Sequence, residues 1–211
     1  MAKTQEDRIK YLECMEDIKR RIKFIKEFIN GDSTLSQEDF DYELVCIHLR
    51  KILELIAFAS LAAHKDIYSQ AHKKYIHEWR AGRLLENIAK LNPDFYPKPL
   101  KAPTQDSSGI KHFEDSDKEF LTRDEFAKLL DLCSDVLHVW NPYTPRKRKI
   151  NFETHVLEWI NKIQWLLDIH CIRLADGQDV MVVQMHGQPD GKAIVLYYVG
   201  VPSSEAEELN A

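Results

Sequence analysis

The chain has 211 residues, 44% hydrophobic and 30% charged, with 29 Lys and Arg against 34 Asp and Glu for a formal net charge of -5. A chain this long can fold around its own core without staples, and its mildly acidic balance exerts no general pull on nucleic acid or membrane, so such binding has to come from local basic clusters. Cys14, Cys46, Cys133 and Cys171 form no CxxC pair, the start MAKTQEDRIKYLE has no apolar signal core, and the longest apolar run, IAFASLAA at 56–63, is too short to span a bilayer; a reduced, cytoplasmic protein with no membrane association is expected.

The first helix is predicted from about residue 5 to 28, stopping at Asn30-Gly31, a pair suited to a helix C-terminus. Its apolar residues Tyr11, Met15, Ile18, Ile22, Ile25 and Ile29 recur by three and four. That seam favours packing on a neighbouring helix over a dimeric coiled coil, for which about three heptads is the lower limit. The same helix carries a basic run, Lys19, Arg20, Arg21, Lys23 and Lys26, read first as a solvated face and second as a phosphate-binding surface.

Ser36 is the expected cap of a second helix reaching about residue 64. Its core, DYELVCIHLRKILELIAFASLAAH, is apolar nearly all round, which argues for burial. Turning about 100° per residue, Glu43, Arg50 and Glu54 fall within about 20° of one line. They read as a buried ionic stripe that fixes helix register, or as a polar pocket in which Arg50 takes a carboxylate or phosphate.

A third helix is expected over about 69–91, with Gly82 marking a bend or a close crossing, and Asn92-Pro93 ending it. Residues 93–118 hold Pro93, Pro97, Pro99 and Pro103 and read as an extended arm, neither helix nor sheet, pinned by Phe95, Tyr96 and Leu100 and mobile over 105–109. Thr122 and Glu125 form a capping box that opens a fourth helix, which must stop near Trp140 because Asn141 precedes Pro142. A fifth helix follows over 152–170. Alternation then predicts strands at 171–175, 180–185 and 193–199, with DGQD and GQPDG as turns. The expected fold is mainly α (α+β): a five-helix bundle over 1–170 carrying the arm 93–118, a three-stranded antiparallel β-meander over 171–201 packed on it, and a flexible tail over 202–211.

Chemistry concentrates at CSDVLHVWNPY. His138 falls in the last turn of a helix, with Asn141 and Tyr143 on the turn beyond and Arg146, Lys147, Arg148 and Lys149 next. An imidazole to take a 2′-OH proton, beside cations that hold a phosphate, is what metal-free RNA cleavage requires. The plainer reading is a C-terminal histidine that favours the helix dipole, next to a solvated basic turn. The remaining basic binding candidates are Lys19, Arg20 and Lys23. No His/Cys/Asp set has metal spacing, and there is no GxGxxG, GxxxxGK or GxSxG, so neither metal nor cofactor is expected and a P-loop engine is excluded.

HLRKILELIAFASLAAHK and CSDVLHVWNPY together resemble a group of bacterial proteins linked to mobile elements and phage defence. The helical layout is similar to that of the HEPN superfamily, compact helical bundles that often act as RNases and carry an Arg shortly before a His on one helix. His138 matches that histidine, but the positions where the arginine would stand hold Leu132, Cys133 and Ser134. The resemblance therefore implies a HEPN-like bundle more than an enzyme. The expected function is a non-catalytic protein- or nucleic-acid-interaction module, a subunit of a bacterial defence or regulatory assembly with a protein partner or a second copy, and with RNA as a further candidate. The alternative is a metal-independent ribonuclease or toxin using His138, Asn141 and Tyr143.

Overall fold

The computed structural model of the chain describes residues 5–32, 38–73, 77–139, 141, 143, 152–175 and 179–199. Helix α1 (Gln5–Glu27) buries Tyr11, Met15, Ile18, Ile22 and Ile25, as the seam predicts. It closes in a wider π turn at Phe28–Asp32, where Gly31 takes φ 89°, a conformation that strains any side-chain-bearing residue. The seam packs on helix α2 (Glu38–Ala71) within the chain, and α2 in turn contacts the two helices α3 (Ala81–Leu91) and α4 (Arg123–Leu137).

Helix α2 runs past its expected end, with a break at His64 (φ -123°, ψ 17°). The break is tied down by buried polar groups. Taking Nδ1 as the protonated nitrogen, His64 donates to the Ser60 carbonyl at 2.9 Å. Asn92 then gives one amide proton to His64 Nε2 and the other to the Arg173 carbonyl, both at 2.9 Å. The helix predicted over 69–91 is thus two segments: residues 69–71 finish α2, and α3 starts only at Ala81. Between them Trp79 is largely exposed, with the Arg80 guanidinium over its ring. Gly82 marks no tight crossing, since a Cβ there would meet Leu130 of α4 at an ordinary 3.8 Å.

The capping box forms as expected. Thr122 accepts from the Glu125 N–H, and the Glu125 carboxylate accepts from the Thr122 N–H at 2.9 Å. Helix α5 (Phe152–Leu167) secures that end of α4: the Lys162 ammonium lies 2.6 Å from Glu125, and its carbonyl takes the Leu121 N–H.

The sheet is larger than the meander. Its strands β1 (Lys98–Pro99), β4 (Ile169–Arg173), β5 (Asp179–Gln184) and β6 (Ile194–Val199) stand in the order β1-β4-β5-β6, all antiparallel, while β2 (Thr104–Gln105) pairs with β3 (Lys111–His112). The arm is therefore not free of regular structure. Proline suits an outer strand, where it owes no ladder donor; Phe95, Pro97 and Pro99 are buried, and Leu100 donates to the Ile169 carbonyl at 2.7 Å. The arm doubles back on itself, Lys101 bonding the Glu114 carbonyl and Ser116 the Pro99 carbonyl. Its tip is organised by Asp106, whose carboxylate takes the Ser108 and Ile110 N–H groups and the His112 ring, each at 2.9 Å. The stretch expected to be mobile at 105–109 is a built turn.

The sheet is bolted to the helices through His170 on β4. Its Nδ1–H donates to the Leu167 carbonyl at 2.8 Å, and its Nε2 accepts the Tyr11 hydroxyl of α1 at 2.6 Å, both inside the core. Burial pushes the imidazole down to about 4, against the Leu167 hydrogen bond, and pushes the Tyr11 phenol well above its usual range. Helix and sheet therefore share one core across the boundary expected near residue 170.

Candidate anion-binding cavity

Lys19, Lys23 and Lys26 stand at i, i+4 and i+7 on α1, hence on one helical face beside the seam residue Ile22. That face lines an open cavity of about 480 Å³, closed on its other sides by the end of α5, the turn after β5 and Lys118 at the end of the arm. The basic run is divided by the helix turn. Arg20 and Arg21 point elsewhere, both onto Asp17; burial opposes ionisation of Asp17, but the two guanidinium groups hold its carboxyl below the usual range.

The four cavity lysines are not equivalent. The Lys19 ammonium has three partners, the carbonyls of Met185 and Gly191 at 3.0 and 2.9 Å and the Glu16 carboxylate at 2.7 Å, while Glu16 also takes the Ala193 N–H. With its three protons used, Lys19 is a strut clasping the β5–β6 turn to α1. Lys23 forms only a loose, exposed pair with Glu27 at 3.6 Å. Lys26 donates to the Gln164 side-chain oxygen at 2.6 Å, a neutral partner. Among the described residues, neither Lys26 nor Lys118 forms an ion pair with a carboxylate. Trp165 and Asp168 of the α5 end, with Glu27, Asn30 and His186, supply the other polar wall, and Ile22, Leu167 and Met185 its apolar part. Asp168 likewise pairs with no cation among the described residues, whereas Glu27, the other carboxylate of the lining, is the loose partner of Lys23.

The other candidates fare differently. The ionic stripe is not buried: Glu43 is exposed, and Arg50 Nε lies 3.1 Å from Glu54 Oε1 with the side chains 33% and 30% accessible. Helix α2 meets its neighbours on its other faces and leaves Glu43 exposed and the Arg50–Glu54 pair half-buried. His138 is exposed as the residue capping α4, its N–H on the Ser134 carbonyl at 3.1 Å. Asn141 accepts the Tyr143 N–H at 3.1 Å and Tyr143 is almost fully exposed. Arg146, Lys147, Arg148 and Lys149 lie outside the described residues, as do Ser36 and the 202–211 tail.

Lys19, Lys23 and Lys26 are visible in the sequence as a run on one helix, whereas no spacing connects Lys118, Gln164, Trp165 and Asp168 to α1. Among the described residues there is no cluster of three or more side chains suited to a metal ion, the cysteines are free thiols, and no helix is long and apolar enough to cross a membrane. No protein-family model matches the chain, and no curated protein or solved structure matches it either.

Proposed function

We propose that the protein is a non-catalytic interaction module that holds an anionic group of its partner in the lysine-walled cavity between α1 and the end of α5. The observation that supports this reading most is the convergence of Lys23, Lys26 and Lys118 on one cavity in a chain of net charge -5, two of the three without a carboxylate partner among the described residues. Like charges gathered around a shared space repel one another, and an anion there relieves the repulsion while accepting hydrogen bonds. A HEPN-like subunit of a bacterial assembly, as the resemblance implies, would use such a site to capture a partner and not to cut it. A protein partner or a second copy has a separate place to add, the outer strand β6, where Tyr197 and Val199 are exposed.

Calorimetric titration with inorganic pyrophosphate tests the reading. Saturable one-site binding that weakens about tenfold or more in the Lys26→Gln/Lys118→Gln protein is expected, because two charge-assisted contacts are lost. Equal affinity in both proteins refutes the assignment.

A second reading, a metal-independent ribonuclease using His138, draws on the exposure of that imidazole at the end of α4 beside the Asn141–Tyr143 turn. RNA cleavage in the presence of a chelator, abolished in His138→Ala, would favour it over the module.

A further inference from the structure

We infer that the cavity's ligand is a nucleoside phosphate: the phosphate lies on Lys23, Lys26 and Lys118, and the base lies against Trp165. The inference rests on the anion-binding reading and adds what the rest of the cavity wall recognises. A bare phosphate ion needs only the lysine side. The cavity, at about 480 Å³, has the size of a small-molecule site and extends well beyond that side. The rest of its wall includes Trp165, partly exposed, beside the apolar Ile22, Leu167 and Met185, with Glu27, Asn30 and His186 as further polar lining. An indole in an open cavity is a platform for a planar ring, and base–aromatic stacking tolerates any base.

Two polar groups at the α5 end add an edge for the ring. Gln164 gives its side-chain oxygen to Lys26 at 2.6 Å, which turns the amide N–H groups away from that ammonium as donors. Asp168, free of a cation among the described residues, is an acceptor for an exocyclic amine or a ribose hydroxyl. An acidic peptide would satisfy the lysines, and its N–H groups would suit Asp168, but without an aromatic side chain it would leave Trp165 unstacked. A ligand that is anionic at one end, planar and apolar in the middle, and donor-bearing at the other matches all three walls.

The moiety has two sources, a free nucleotide or the end of a nucleic-acid strand. Adenosine and uridine monophosphates, the matching nucleosides, inorganic phosphate and a short 5′-phosphorylated oligonucleotide are titrated against the full chain by calorimetry. Nucleotides are expected to bind about tenfold or more tighter than inorganic phosphate, the gain one stacked base supplies. Trp165→Ala should remove that gain while leaving phosphate binding intact, and Trp165→Phe, which keeps an aromatic face, should retain most of it. Loss of the nucleotide gain in Trp165→Ala, with its retention in Trp165→Phe, supports the seat even if the alanine protein is destabilised. Tighter binding of the oligonucleotide than of the free nucleotide, still dependent on Trp165, supports the seat and assigns the source to a strand. Equal affinity for phosphate and nucleotide overturns the ring seat and leaves the anion site standing. Absence of binding by every phosphate compound overturns both.

Discussion

The Tyr11–His170 pair should give the fold a stability step in weak acid. Buried His170 binds its proton only near pH 4, whereas an unfolded chain's histidine binds one near 6.5. Between those values the unfolded state holds the extra proton, so stability falls as the pH is lowered from about 6.5 to 4 and is fully present above 6.5. At about 1.4 kcal/mol for each pH unit crossed, the loss reaches about 2 kcal/mol at pH 5 and levels off at about 3–4 kcal/mol below pH 4. The paired carboxylates Glu16, Asp17 and Glu125 have lowered values in the fold and are lost at still lower pH, outside most of this window. His48, lowered by burial and then by Arg21, shares the window and must be cancelled by a difference measurement. Urea unfolding followed by circular dichroism at pH 5.0 and 7.5 should therefore be run on the wild type and on His170→Gln. The variant keeps a hydrogen-bonding side chain that does not titrate, and it should lose about 2 kcal/mol less than the wild type on acidification, whatever its stability at pH 7.5. Equal losses in the two proteins would refute the claim that His170 is held neutral in the core.

Three further outcomes follow from the local geometry. Arg50→Ala should cost no more than about 1 kcal/mol, because its pair with Glu54 is a third exposed; a loss near the 3–5 kcal/mol typical of a broken buried pair would restore the buried stripe. Thr122→Ala removes the reciprocal cap of α4 and should cost about 1 kcal/mol by chemical denaturation, with no change supposing that the Lys162–Glu125 pair alone holds that end. Asp106→Ala should open the arm's tip, so that limited proteolysis cuts at 105–110 faster than in the wild type; identical digestion patterns would show that the three bonds to Asp106 do not order the turn.

The parts of the fold written in local pattern were legible. The three-four spacing of Tyr11 to Ile25 sets α1, T-x-x-E sets the start of α4, and alternation sets β4 to β6. What the sequence hid was tertiary. His64 breaks α2 in order to meet Asn92 and the Arg173 carbonyl, partners far along the chain. The prolines of the arm argue against a strand until β4 supplies an edge on which Pro99 needs no donor. The Glu43–Arg50–Glu54 line is not buried as its helix's composition implies, because an apolar helix need be covered only where neighbours stand, and its neighbours leave that line partly open. The cavity shows the same division. The lysine spacing on α1 is readable, but Lys118 and Trp165 reach it only through the path of the arm and the end of α5.

The most direct test of the anion cavity is the amide and indole spectrum of the ¹⁵N-labelled protein titrated with inorganic pyrophosphate. Saturable shifts are expected at the Lys23, Lys26 and Lys118 amides and at the Trp165 indole, identified by its absence in Trp165→Phe, while the exposed Trp79 indole stays in place. Shifts centred on His138 and Tyr143, or no saturable shift at the lysines, would contradict the anion cavity.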